Sequence, residues 1–144
     1  MNGAGAPTHI EHIGIAVKDL QASIALFREI LGVPCYAVEE VADQKVRTAF
    51  FRVGQTKIEL LESTSPDGPI GKFLAKRGEG LHHIALAVPD IVKALGALAT
   101  AGVRLIDDEP RPGAERLRPA FLHPSSTGGV LVELCSPPSD PAPR

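Results

Sequence analysis

The chain has 144 residues, 44% of them hydrophobic and 22% charged, with a formal net charge of −2. That is the length of one compact domain, long enough to bury roughly 70% of its unfolded surface without disulfide or metal staples. Acids and bases are mixed along it, which argues against a nucleic-acid face, and no apolar run approaches the roughly 20 residues of a membrane helix. Cys35 and Cys135 make no disulfide framework, and Met1–Thr8 has neither the basic nor the apolar region of a secretory signal. A cytoplasmic protein with no membrane or nucleic-acid partner is the expectation.

Residues 1–8 read as a loose end, and alternation then predicts a strand over 10–17. Asp19 follows as a helix N-cap, Leu20, Ile24, Phe27 and Leu31 recur at helical spacing, and Gly32 closes the helix. Strand-like residues around 35–41 precede a pair of strands, 46–53 and 57–62, about a Gly54-Gln55 turn. Ser65-Pro66-Asp67-Gly68-Pro69 leads into a short helix, Ile70–Lys76, which Gly78-Glu79-Gly80 ends. The plan then recurs. There is a strand at 82–88, a cap at Asp90, a helix carrying Ile91, Leu95 and Leu98, and a stop at Gly102. A strand at 103–107 follows, then the pair 118–123 and 130–135 about the turn 124–129. The proline-rich stretch 136–144 reads as a tail. Each half is thus βαβββ, giving a module at 9–62, a linker helix at 63–79 and a module at 80–135, one α+β domain over 9–135. A duplicated unit of this kind predicts a mixed sheet, two half-sheets curling around a shared cavity.

The halves share residues as well as a plan. His9-Ile10-Glu11-His12-Ile13-Gly14-Ile15-Ala16-Val17 returns as Gly80-Leu81-His82-His83-Ile84-Ala85-Leu86-Ala87-Val88, which superposes His12 on His83. Each half ends on an apolar strand with one embedded acid, Glu59 in Ile58-Glu59-Leu60-Leu61 and Glu133 in Leu131-Val132-Glu133-Leu134. Strand parity puts Ile13, Ile15, Val17 and Ile84, Leu86, Val88 under the helices. It puts each His on the other face beside small residues (Gly14 and Ala16, Ala85 and Ala87), which leave space for a cavity.

An acid in an apolar strand is costly to bury uncompensated, and a bound cation removes that cost. Imidazole and carboxylate together suit a borderline divalent metal such as Co, Ni, Zn, Fe or Mn. His12, Glu59, His83 and Glu133 are therefore the candidate ligands. His9, His82 and His123 are weaker candidates, and Cys135 reads as a buried, inert thiol.

Several phrases resemble the vicinal oxygen chelate superfamily (the glyoxalase, bleomycin resistance and dioxygenase proteins) and, within it, the methylmalonyl-CoA epimerase family. They are residues 10–17, Lys57-Ile58-Glu59-Leu60-Leu61, residues 65–74, Gly78-Glu79-Gly80-Leu81-His82-His83-Ile84-Ala85, residues 102–107, Phe121-Leu122-His123-Pro124 and residues 126–134. The resemblance covers about 9–135 and implies His12, His83 and Glu133 as ligands, with Glu59 at a fourth position. It implies cobalt or a similar ion, an acyl-CoA substrate and a homodimer. The implied reaction interconverts the C2 epimers of methylmalonyl-CoA or a close acyl-CoA. Removing the proton alpha to a thioester leaves an enolate whose charge a Lewis acid stabilises, and epimerisation needs an acid/base group on each face. Glu133 and Glu59 are the first assignment for those two groups, with plain ligation by both as the alternative.

The chain also departs from the family's phrases. Asp43-Gln44-Lys45-Val46 stands where many members read Glu-Gln-Gly-Val, and Thr48 stands where some carry a candidate base. Gly113-Ala114-Glu115-Arg116 replaces Gly-Ala-Gly-Gly or Gly-Ala-His-Gly, and Ser125 replaces a Lys. Lys72, Lys76, Arg77, Arg111, Arg116 and Arg118 are candidates to meet CoA phosphates. Two alternatives remain within the superfamily's enzymes, a glyoxalase I-like isomerase and an extradiol dioxygenase. A third is a non-catalytic binding protein of the bleomycin-resistance type.

Overall fold

A computed structural model describes residues 6–137. The expectations for the outermost tails, 1–5 and 138–144, lie outside the described residues. The elements are β1 (His9–Ala16), α1 (Leu20–Leu31), β2 (Ala37–Val41), β3 (Val46–Val53), β4 (Thr56–Ser63), α2 (Pro69–Arg77), β5 (Gly80–Ala87), α3 (Ile91–Thr100), β6 (Arg118–Leu122) and β7 (Val132–Ser136). Strands and helices together give the α+β class expected from the sequence. The chain divides into two compact units, one running His12–His82 and the other joining the residues up to Glu11 to those from His83 onward.

In the His12–His82 unit, β3 pairs antiparallel with both β2 and β4, and β1 pairs parallel with β4 in the register His12↔Lys57, Gly14↔Glu59, Ala16↔Leu61. Period-2 alternation sends Ala49, Phe51 and Leu60 to one face, where they pack with Val17, Leu20, Ile24, Phe27 and Leu31. The Asp19 carboxylate accepts from the Ala22 amide and so caps α1, and Gly32 closes it with a left-handed φ of 68°. Glu62 adds a second anion at that N-terminus, accepting from the Leu20 amide at 2.8 Å and from Arg47 at 2.9 Å. The opposite face corrects one expectation. Ala16, read as part of an open wall, is fully buried with Val46 and Leu61 beneath Ile70 of α2. The linker helix therefore fills one end of the face that carries His12.

In the other unit β5 pairs parallel with β7, and β6 pairs antiparallel with β7. Ala120, Leu122 and Leu134 pack against Ile91, Ala94 and Leu95 of α3. The strand expected at 103–107 is absent, and a single bridge, Leu105↔Leu122, stands in its place. The reason lies in where the backbone groups of Phe121 go. Its carbonyl accepts from both Ile106 and Asp107, at 2.9 and 3.2 Å, and its amide donates to the Asp107 carboxylate at 2.8 Å. A side chain has taken the donor that a ladder would have used.

Candidate metal and proton-transfer site

Two buried imidazole–carboxylate pairs stand out, one in each unit. In the first, the parallel register sets Glu59 beside Gly14, which has no side chain to compete for the space. The Glu59 carboxylate reaches His12, with Oε2 3.2 Å from Nδ1, and both residues are about 5% exposed. In the second, Ala85 lies beside Glu133, and Glu133 Oε1 is 3.3 Å from His83 Nε2. Phe121, opposite Glu133 on β6, packs its ring near-perpendicular to that of His83, with centroids 5.7 Å apart.

These separations suit a shared ion within each pair. Donors about 2.0–2.2 Å from a divalent metal, at tetrahedral or octahedral angles, lie roughly 2.8–3.6 Å from one another. A neutral imidazole and an ionised carboxylate also form the donor set that borderline divalent ions accept. Burial favours ligation further, because excluding water removes its competition for the ion and strengthens the charge–charge attraction.

The remaining candidates serve other ends. His9 Nδ1 lies 2.9 Å from the Thr8 hydroxyl. His123 Nδ1 accepts from the Ser125 amide at 3.0 Å and shapes the turn after β6. His82 packs edge-on against Phe73 of α2 at 5.0 Å, and burial, with the Arg77 charge nearby, lowers its pKa to about 4. Cys135 is buried, its thiol directed to the Leu86 carbonyl. Thr48 is buried on the Glu59 side of β3. Among the phosphate candidates, Lys72, Lys76 and Arg77 are exposed on α2, whereas Arg111 is paired with Asp107.

The sequence reading passed over Lys57. It is 3% exposed, with Nζ 3.8 Å from Glu59 Oε2 and 5.6 Å from the centroid of the Phe50 ring. A lysine in a strand ordinarily marks the solvent side. Its parity with Glu59, two residues on, was the available signal that both share the buried face.

Residues 11–121 match the family described as the Glyoxalase/Bleomycin resistance protein/Dioxygenase superfamily. The chain belongs to that superfamily. An uncharacterized protein of Bacillus subtilis, YqjC, is 44% identical over 91% of this chain and 94% of its own length. The ethylmalonyl-CoA/methylmalonyl-CoA epimerase of Cereibacter sphaeroides is 40% identical over 87% of this chain and 95% of its own. Among solved structures, a substituted form of Streptomyces coelicolor methylmalonyl-CoA epimerase, in complex with 2-nitronate-propionyl-CoA, superposes with a TM-score of 0.89. It is 38% identical and covers 96% of this chain and all of that one.

Proposed function

We propose that this protein is an epimerase that interconverts the C2 epimers of methylmalonyl-CoA, or of a close acyl-CoA such as ethylmalonyl-CoA, by removing and returning the proton at C2. The observation that carries this reading is the pair of buried imidazole–carboxylate couples, His12–Glu59 and His83–Glu133, in a chain whose relatives include epimerases named for that chemistry. It is an enzyme of the isomerase class.

The four residues His12, Glu59, His83 and Glu133 are proposed to hold one divalent ion jointly, cobalt first among the candidates. Such an ion supplies Lewis-acid stabilisation of the charge that develops on the thioester oxygen. The chain's own groups do the rest. His12 and His83, both buried, orient the site, and each lies beside a carboxylate. Glu59 and Glu133 are the groups proposed to take the C2 proton at a carboxylate oxygen on one face of the planar enolate and return it on the other. A positioned base of this kind contributes about 10²–10⁴-fold to rate. Burial keeps water from quenching the carbanion or screening its charge. The resemblance further supports a homodimer, and a cytoplasmic location is proposed with it. No helix among the described residues is long and apolar enough to cross a membrane.

The test is metal analysis of the purified protein, followed by deuterium incorporation at C2 of methylmalonyl-CoA in heavy water. Exchange that depends on bound metal is the expected result. Metal without exchange on methylmalonyl-CoA or ethylmalonyl-CoA sinks the epimerase reading, and turnover of a glutathione hemithioacetal under the same conditions replaces it with an isomerase of the glyoxalase type.

A further inference from the structure

Lys57 is buried, 3% exposed, and takes no part in the proton transfer proposed above. The parallel register places it beside His12, and it shares a face of β4 with Glu59, two residues on. Its ammonium lies 3.8 Å from Glu59 Oε2, the oxygen that is 3.2 Å from His12 Nδ1, and 5.6 Å from the centroid of the Phe50 ring. All of these residues belong to the His12–His82 unit. In the other half the residue two before Glu133 is Leu131, so this cation belongs to one half alone.

A malonyl-type thioester differs from a plain acyl-CoA by an acid group bonded directly to C2, the carbon that gives up the proton. A carboxylate that takes that proton, the part proposed for Glu59, lies about 3 Å from its donor. The acid group is one bond from the same carbon, which brings it within reach of an ammonium on a flexible four-carbon stem beside Glu59. Burial strengthens the attraction, because little water screens it. The acid group also stays in the plane of the enolate while the proton leaves one face and returns on the other, so a cation on one side holds it throughout. We infer that Lys57 binds the free carboxylate of the substrate and so selects CoA esters that carry an acid group on C2. Glu59 keeps both parts given to it above. The inference rests on the function proposed above and names the group that decides which esters the site accepts.

Calorimetric binding of racemic methylmalonyl-CoA and of propionyl-CoA, which lacks the acid group and keeps every CoA phosphate, tests this on the full chain. Wild type, Lys57→Met and Lys57→Gln are compared, each saturated with Co²⁺ and again after metal removal. Wild type favours methylmalonyl-CoA, and the reverse order overturns the inference without any variant. Loss of the ammonium weakens methylmalonyl-CoA at least about tenfold, the scale of a hydrogen bond to a charged group, and propionyl-CoA by no more than about twofold. The effect persists in metal-free protein, because the ammonium is the chain's own. Circular dichroism decides between the two variants if one is unfolded. Equal weakening of both esters would make Lys57 a structural partner of Glu59 and overturn the inference. So would unchanged binding of both, or an effect confined to the metal-loaded protein, which would run through the ion. C2 exchange without this discrimination removes the inference alone. A wild type that binds neither ester and exchanges nothing at C2 removes the proposed function and the inference with it.

Discussion

Among the described residues, the non-glycine residues with positive φ are Lys45 and Glu115, both at 54°. Each stands where the family phrases this chain resembles read glycine, and each holds a backbone conformation that suits glycine. Lys45 closes a single 3₁₀ turn with its amide on the Ala42 carbonyl, and its ammonium pairs with Asp67 at 2.7 Å. A left-handed residue with a Cβ costs roughly 1 kcal/mol against glycine. Urea unfolding is therefore expected to place Lys45→Gly about 1 kcal/mol above Lys45→Ala, since both lose the Asp67 pair and only one relieves the backbone. Equal midpoints would show that the turn carries no strain. His82 gives a second expectation at this scale. Its pKa falls from 6.5 to about 4, so between those values the unfolded chain binds the extra proton. Stability then declines as pH drops through that window, and His82→Phe flattens that part of the profile. A histidine titration followed by NMR that puts His82 near 6.5 would contradict this.

The elements divide into those written in local pattern and those set by a distant partner. Alternation and caps made β1, α1, β3, β4 and α3 legible, because Asp19, Gly32 and Asp90 end or start their helices through bonds to neighbours in sequence. The candidate ligands were legible for a different reason, their repetition at matching places in the two halves. The 103–107 segment misled because Leu105 alternates as a strand residue would, whereas Asp107 competes for the amide of Phe121, 14 residues on. Lys57 was passed over because a strand lysine, read locally, marks the solvent side. The expected outcome for Asp107→Ala is a loss of about 1–3 kcal/mol, the cost of leaving a partly buried donor unsatisfied. Hydrogen exchange at the Phe121 amide should quicken in the same variant, and protection as slow as in the wild type would place the donor's true partner elsewhere.

At the scale of the whole molecule, the two couples predict a stoichiometry. If both serve one ion, metal analysis gives one equivalent per chain, and His12→Ala and His83→Ala each remove most of it. Each variant also abolishes exchange at C2. Two equivalents, with each variant losing one, would instead make the couples separate sites. The net charge of −2 is small, so under the proposed function attraction of an acyl-CoA's phosphates falls to local cations rather than to the overall field. Lys72, Lys76 and Arg77, exposed along α2, are the group whose replacement by Gln should raise the KM for the CoA ester and leave kcat unchanged.

The division into units also sets an order of events during synthesis. His12–His82 is continuous in sequence, so its strands and both of its helices are synthesised before the second half is translated. The other unit takes in residues 6–11 of the described chain, where the Thr8 amide donates to the Ala87 carbonyl at 2.9 Å. Those residues must wait through the emergence of an entire finished unit. Residues 6–11 are then open to proteases and chaperones in the nascent chain until Ala87 has been made.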